Sequence, residues 1–136
     1  MNDKLLQMIR ALEAELEKSP ADSRVMQKLF ALHQKRGEPA EGNKMLLRLA
    51  KQHESDGFFL KAVAVLKQLL KLQPDHLEAH ERLARVFLAL GLGSDAVPHL
   101  AAQADAHAKL GDVERTLELH AQIAKIDPGW KLPPVN

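Results

Sequence analysis

PADSRVMQKLFALHQKRGEPAEGNKMLLRLAKQHESDGFFLKAVAVLKQLLKLQ, residues 20–73, lies without a gap over PDHLEAHERLARVFLALGLGSDAVPHLAAQADAHAKLGDVERTLELHAQIAKID, residues 74–127. Pro20, Pro74 and Pro128 therefore stand 54 residues apart, and Gly37, Gly57, Gly91 and Gly111 fall between them at spacings of 20, 34 and 20. Nine of the 54 aligned positions are identical, among them Leu29 with Leu83, Gly37 with Gly91, Leu46 with Leu100, Ala50 with Ala104, His53 with His107 and Gly57 with Gly111. Breakers, small residues and helical register coincide, which marks a tandem repeat of a supersecondary unit. Repeats of this kind act chiefly by presenting an extended surface to a partner.

Working outward, apolar residues recur at helical spacing between all the breakers, and no stretch alternates with period two. Seven helices are predicted. The first, about 3–18, carries Leu5, Leu6, Ile9, Leu12 and Leu16 on one stripe. The second, about 22–36, carries Val25, Met26, Leu29, Phe30 and His33 inward until Gly37 stops it. Pro39 suits the first turn of the third, about 39–55, which brings Leu46, Leu47, Leu49, Ala50 and His53 toward Gly57. The fourth, about 58–72, is the most apolar, with Phe59, Val63, Leu66, Leu69, Leu70 and Leu72. The fifth, about 76–90, is expected to open on a capping box of Asp75 and Glu78 and to bury Leu83, Ala84 and Phe87. Ser94 is expected to cap the sixth, about 95–109, and Asp112 the seventh, about 113–126. Connections this short make successive helices antiparallel, so the expected fold is all-α, a short right-handed α-solenoid of about seven helices in one domain, 1–136. Its parts are an N-terminal helix (1–19), three-helix units at 20–73 and 74–127, and an extended tail (128–136).

Within this frame residues 43–76 resemble a tetratricopeptide repeat, the 34-residue helix-turn-helix family. The residues that carry the likeness are Leu46, Leu49, Ala50, Gly57, Ala62, Leu66, Leu69 and Pro74, with His53 where an aromatic is usual. A second copy from Leu77 supplies His80, Leu83, Ala84, Phe87, Gly91, Ala96 and Leu100, then fails at Gln103. A third phase anchored on Pro128 supplies Leu100, Ala104, His107, Gly111, Thr116 and Ile123, so the helices near 39–55 and 95–109 are each shared between repeats. The resemblance implies a non-enzymatic protein-interaction module, an adaptor or scaffold that binds a peptide or protein surface in a helical groove. The groove positions it implies are Lys44, Leu47, Lys51 and Glu54, then Glu78, Glu81, Arg85 and Leu88. GFFLKAVAVLKQLLKLQPD, residues 57–75, also resembles pieces of bacterial adaptors of motility and polarity systems, some of which contact small Ras-like GTPases. The rival reading is a structural protein that self-assembles, for instance as a homodimer, by stacking exposed apolar helix faces.

Composition narrows the chemistry. Nineteen Lys and Arg against 18 Asp and Glu give a formal charge of +1, which offers no overall pull on nucleic acid or an anionic membrane. The basic run of Lys28, Lys35, Arg36, Lys44, Arg48 and Lys51 has no exposed aromatic interleaved for base stacking, its one phenylalanine, Phe30, being expected inward. No cysteine is present, so disulfides, thiolate catalysis and thiolate metal sites drop out. His76 and His80 have the i, i+4 spacing that lets two imidazoles share an ion, but no third ligand stands at a compelling distance, and no metal or other cofactor is expected. His33, His53 and His107 fill the aromatic slot of the repeat and are expected to pack with one ring nitrogen hydrogen-bonded. The serines fall at helix ends, Glu13, Glu15 and Glu17 read as a solvated face, and GLGS at 91–94 reads as a turn, so no enzyme site is expected. Trp130 reads as a lid over the apolar end of the repeats, continued by Leu132, Pro133 and Pro134, with an exposed interface anchor as the alternative. No segment approaches the roughly 20 apolar residues that span a bilayer, and a cytoplasmic location is expected.

Overall fold

The computed structural model describes residues 3–131. Among them are seven α-helices: α1 (Asp3–Lys18), α2 (Ser23–Lys35), α3 (Pro39–Ser55), α4 (Phe59–Leu72), α5 (Leu77–Ala89), α6 (Gly93–Lys109) and α7 (Val113–Ile126). No strand occurs among the described residues, and the fold class is all-α. The chain divides into two compact units that meet in sequence at Pro74 and Asp75.

In the first unit α1 packs on α2, α2 on α3 and α3 on α4. The stripes predicted from the sequence supply the core: Ile9 and Leu16, Met26 and Leu29, Leu46 and Leu49, Leu66 and Leu69 are all buried. Small residues let the helix axes approach, and Ala50 and Ala62 are fully enclosed. In the second unit α5 packs on α6 and α6 on α7, around Leu83, Phe87, Leu100, Leu119 and Ile123. Each middle helix, α3 and α6, thus serves two neighbours. Each fully buried aliphatic side chain contributes about 1.5–3 kcal/mol against the entropy of ordering the chain.

The glycine ladder has one structural cause. Gly37, Gly57, Gly91 and Gly111 take φ between 75° and 78°, the left-handed region, and no other described residue has positive φ. Each sits just past a helix end. The glycine N–H donates to the carbonyl three residues back, and the next N–H donates five residues back: Glu38 to His33 (2.9 Å), Phe58 to His53 (2.8 Å), Leu92 to Phe87 (2.8 Å) and Asp112 to His107 (2.9 Å). This double bond pattern is the Schellman ending, which satisfies the last orphan carbonyls of a helix. A Cβ on any of the four would meet nothing within 4 Å, so the penalty for a side chain there is the backbone conformation alone, about 1–2 kcal/mol.

Helix starts follow the predictions less closely. Asp112 caps α7, its Oδ1 accepting from Arg115 N at 3.1 Å, and Pro39 opens α3. The capping box of Asp75 and Glu78 does not form. α5 begins one residue later, with His76 as its cap: His76 Nδ1 accepts from Ala79 N at 3.1 Å, while Glu78 Oε2 accepts from Arg82 Nε at 3.0 Å. Ser94 does not cap α6, which already starts at Gly93 behind Leu92 and has no side-chain cap. A Cβ at Gly93 would lie 3.0 Å from Ile126 Cγ2, a tight contact that the Ile126 side chain of α7 would have to yield to. Not all the apolar residues of α4 are covered: Phe59 is 37% and Leu72 48% exposed. α4 carries more apolar residues than one neighbouring helix can cover.

Candidate interaction surface

The eight residues implied as groove positions lie four on α3 and four on α5, each set on one helical stripe. On α3, Lys44 and Lys51 are exposed, and Leu47 and Glu54 half-buried. Lys44 Nζ stands 3.5 Å from Glu41 Oε1, a solvent-screened pair of little energetic weight. On α5, Arg85 is exposed, while Glu78, Glu81 and Leu88 are half-buried.

Glu81 and Arg85 line a hollow of about 240 Å³ within the second unit, with Ala84 from α5, Leu100 and Gln103 from α6, and Arg115 and Gln122 from α7. Its floor is Ala84, Leu100 and Gln103, each 2–3% exposed, and its walls carry one carboxylate, two guanidinium groups and an amide. Gln103 Nε2 lies 3.5 Å from the His80 carbonyl oxygen, at the limit of a hydrogen bond. Arg115 Nη1 donates to Glu118 Oε2 at 3.1 Å, which orients its side chain on α7. At this volume the hollow suits one side chain or a turn of peptide better than a cofactor. Glu78 and Leu88 do not line it. The repeat pattern does not mark Gln103, Arg115 and Gln122 as site residues, although it fails at Gln103, whose counterpart Leu49 is an ordinary core residue. A polar residue at a core register was the available signal.

Of the basic run, Arg36 Nη1 donates to Glu38 Oε2 at 2.8 Å and Arg48 Nη2 to the Pro20 carbonyl at 3.2 Å. These residues hold turns in place.

Each histidine has a local structural use. His33 is buried with Nδ1 3.0 Å from Glu38 Oε1, and His107 Nδ1 lies 3.4 Å from Asp112 Oδ2, as the aromatic-slot reading requires. His53 departs from it. It is 5% exposed and its Nδ1 has no hydrogen-bond partner. Its partner across the Schellman turn is Phe58, ring centroids 6.4 Å apart, where the turns after His33 and His107 supply a carboxylate. His76 is committed to its cap, and His80 Nδ1 lies 3.0 Å from His99 Nδ1. Among the described residues no three His, Asp or Glu side chains converge on a metal position. Trp130 is half-buried and rests on His120 of α7, centroids 5.3 Å apart. Leu132, Pro133 and Pro134 lie outside the described residues.

Burial holds the His53 imidazole below its ordinary value of 6.5; the Lys61 ammonium adds to this and Asp56 opposes it. The unfolded chain accepts a proton there that the folded chain resists, so this residue's contribution to stability is complete above about pH 6.5 and is lost as pH falls below it. His53→Phe is expected to gain about 1 kcal/mol at neutral pH by removing a desolvated nitrogen. It should also flatten the acid side of the stability profile. Urea titrations at about pH 7.5 and 5.5 check both. An unchanged gap between the two pH values would show that His53 is not the group responsible.

No helix among the described residues is long and apolar enough to cross a membrane. No curated protein matches the chain in sequence. Solved structures similar to it include a crystal structure of MamA, 14% identical over 88% of this chain and 86% of that one, with a TM-score of 0.42. A double mutant named MamA RS-1 ArsTM is 20% identical over 78% of this chain and 75% of that one, at 0.44. YrrB, described as a TPR protein with an unusual peptide-binding site, is 14% identical over 93% of this chain and 80% of that one, at 0.42. Residues 43–86, which run from the fifth residue of α3 through α4 into α5, match the tetratricopeptide repeat family model.

Proposed function

We propose that this chain is a non-enzymatic protein-interaction module, an adaptor that holds a peptide or protein segment against exposed helix stripes. The observation that carries the reading is the hollow on α5, α6 and α7. Its walls present Glu81, Arg85, Arg115 and Gln122 around an apolar floor, and Gln103 places a polar group at a core position. The Gln103 Nε2 is turned to the His80 carbonyl at 3.5 Å, and its amide oxygen remains as an acceptor suited to a polar group on a partner. The tetratricopeptide match over residues 43–86 supports the same class of activity. Lys44, Leu47, Lys51 and Glu54 on α3 and Glu78, Glu81, Arg85 and Leu88 on α5 are the contact residues of this proposal. Two shared-helix units of 54 residues, a cytoplasmic setting and a small GTPase among the partners belong to it as well.

The test is affinity capture from the native cell with mass spectrometry, comparing the wild-type chain with the double variant Arg85→Glu, Arg115→Glu. Reversing two charges in one hollow is expected to lower recovery of the specific partner at least about tenfold, the effect of losing one interface hot spot. Lys28→Glu on the exposed side of α2 serves as a control and should leave recovery unchanged. Equal recovery by all three chains would sink the assignment of this hollow.

A further inference from the structure

The outward face of α7 carries an apolar strip with a built-in direction. With Leu119 and Ile123 buried, the helical register puts Val113, Leu117, Ala121 and Ala124 on the opposite side. Val113 is 66% and Leu117 60% exposed, and both alanines are exposed. One edge of the strip carries Glu114, Glu118 and Lys125. Glu118 is held by Arg115 at 3.1 Å, whereas Glu114 and Lys125 have no ion-pair partner among the described residues. The strip is therefore bulky and acidic toward its start, and small and basic toward its end.

An antiparallel copy of the same strip complements this polarity. A two-fold axis crossing α7 between Leu119 and His120 sets Glu114 beside the partner's Lys125, and Lys125 beside the partner's Glu114, along one edge. It also lays Leu117 and Val113 over the partner's Ala121 and the partner's Ala124, so large side chains meet small ones. A parallel copy would set leucine on leucine and leave Glu114 and Lys125 of the two chains on opposite edges, without a complementary partner. We propose that a second copy of this chain covers the strip, with α7 packed antiparallel on α7 in an isologous dimer. This goes beyond the hollow described above and does not depend on it.

One helix on one helix buries less than about 1,200 Å² in total, the range of weak and transient contacts, so the dimer forms only at high concentration. Sedimentation equilibrium from about 10 μM to about 1 mM spans that range. The average mass of the wild-type chain is expected to rise from 15.1 kDa toward twice that value. Glu114→Lys and Lys125→Glu alone each create two like-charge pairs across the axis and should each weaken association about tenfold, while the double swap should recover wild-type association to within about threefold. Leu117→Glu should abolish it with helicity by circular dichroism unchanged. A wild-type chain that stays at 15.1 kDa throughout, as expected if a different protein covers the strip, overturns the proposal. So does a double swap no stronger than the single variants, or a Leu117→Glu chain that dimerises normally. None of these variants touches the hollow at Arg85, so failure here leaves the partner reading intact.

Discussion

Leu83→Ala is expected to destabilise the protein by about 2–5 kcal/mol, a large fraction of the 5–15 kcal/mol that holds a typical domain together. Leu83 is completely enclosed on α5, in a unit whose core draws on only three helices. Truncation loses the transfer energy of the removed methyl and methylene groups and leaves a cavity that neighbouring helices joined by tight glycine turns, at Gly91 and Gly111, close only in part. Its repeat counterpart Leu29 is equally enclosed in the first unit, and Leu29→Ala should fall in the same range. Urea unfolding followed by helical circular dichroism reads this directly: the midpoint drops while the slope is conserved. Leu117→Ala is the contrast, since that leucine is 60% exposed and its loss should stay within about 0.5 kcal/mol. A Leu83→Ala chain less than about 1 kcal/mol weaker than wild type would mean that the site collapses freely and that the repeat register does not define the core.

Helix ends were legible in the sequence where one residue decides them. Glycine at the Schellman position and proline at the first turn act on their own backbone, and α1, α3 and α7 run from Asp3 to Lys18, Pro39 to Ser55 and Val113 to Ile126, within a residue of the predicted limits. Caps were less legible because several polar residues compete. Asp75 and His76 both precede α5, and the cap role falls to the imidazole, whose Nδ1 accepts from Ala79 N. At α6 no side chain caps the start, and Gly93 lies close to Ile126, 33 residues on, a contact that no local cap signal carries. The candidate site divides the same way. Glu81 and Arg85 are visible from the periodicity of α5, whereas Arg115 and Gln122 join them only because α5, α6 and α7 come together. His53 shows the limit of reading a slot by residue type: its surroundings depend on Phe58, which stands where the turns after His33 and His107 have a carboxylate.

Ala50→Glu is expected to have the largest effect of any single substitution considered, a loss above about 4 kcal/mol that leaves the first unit largely unfolded. Ala50 has no exposed surface, and α3, which carries it, packs on α2 and on α4. Its neighbours one turn away, Leu46 and His53, are buried too, so a glutamate has no short route to water along the helix. A carboxylate there must either be taken out of water unpaired or be protonated, and both outcomes weaken the fold. The neighbouring substitution Lys51→Glu changes charge in the same direction on the exposed side of α3 and should stay within about 1 kcal/mol. The pair separates burial from charge. Acid provides the decisive measurement: the introduced carboxyl has its folded pKa raised above the unfolded value of about 4.3, so the penalty grows as pH rises through and beyond that value and shrinks below it. The stability gap between Ala50→Glu and wild type should therefore narrow on acidification, whereas Ala50→Leu, which overfills the same space without charge, should show a gap that does not change with pH. If the glutamate gap is equally insensitive to pH, steric overfilling and not desolvation is what the small-residue slot at Ala50 guards against.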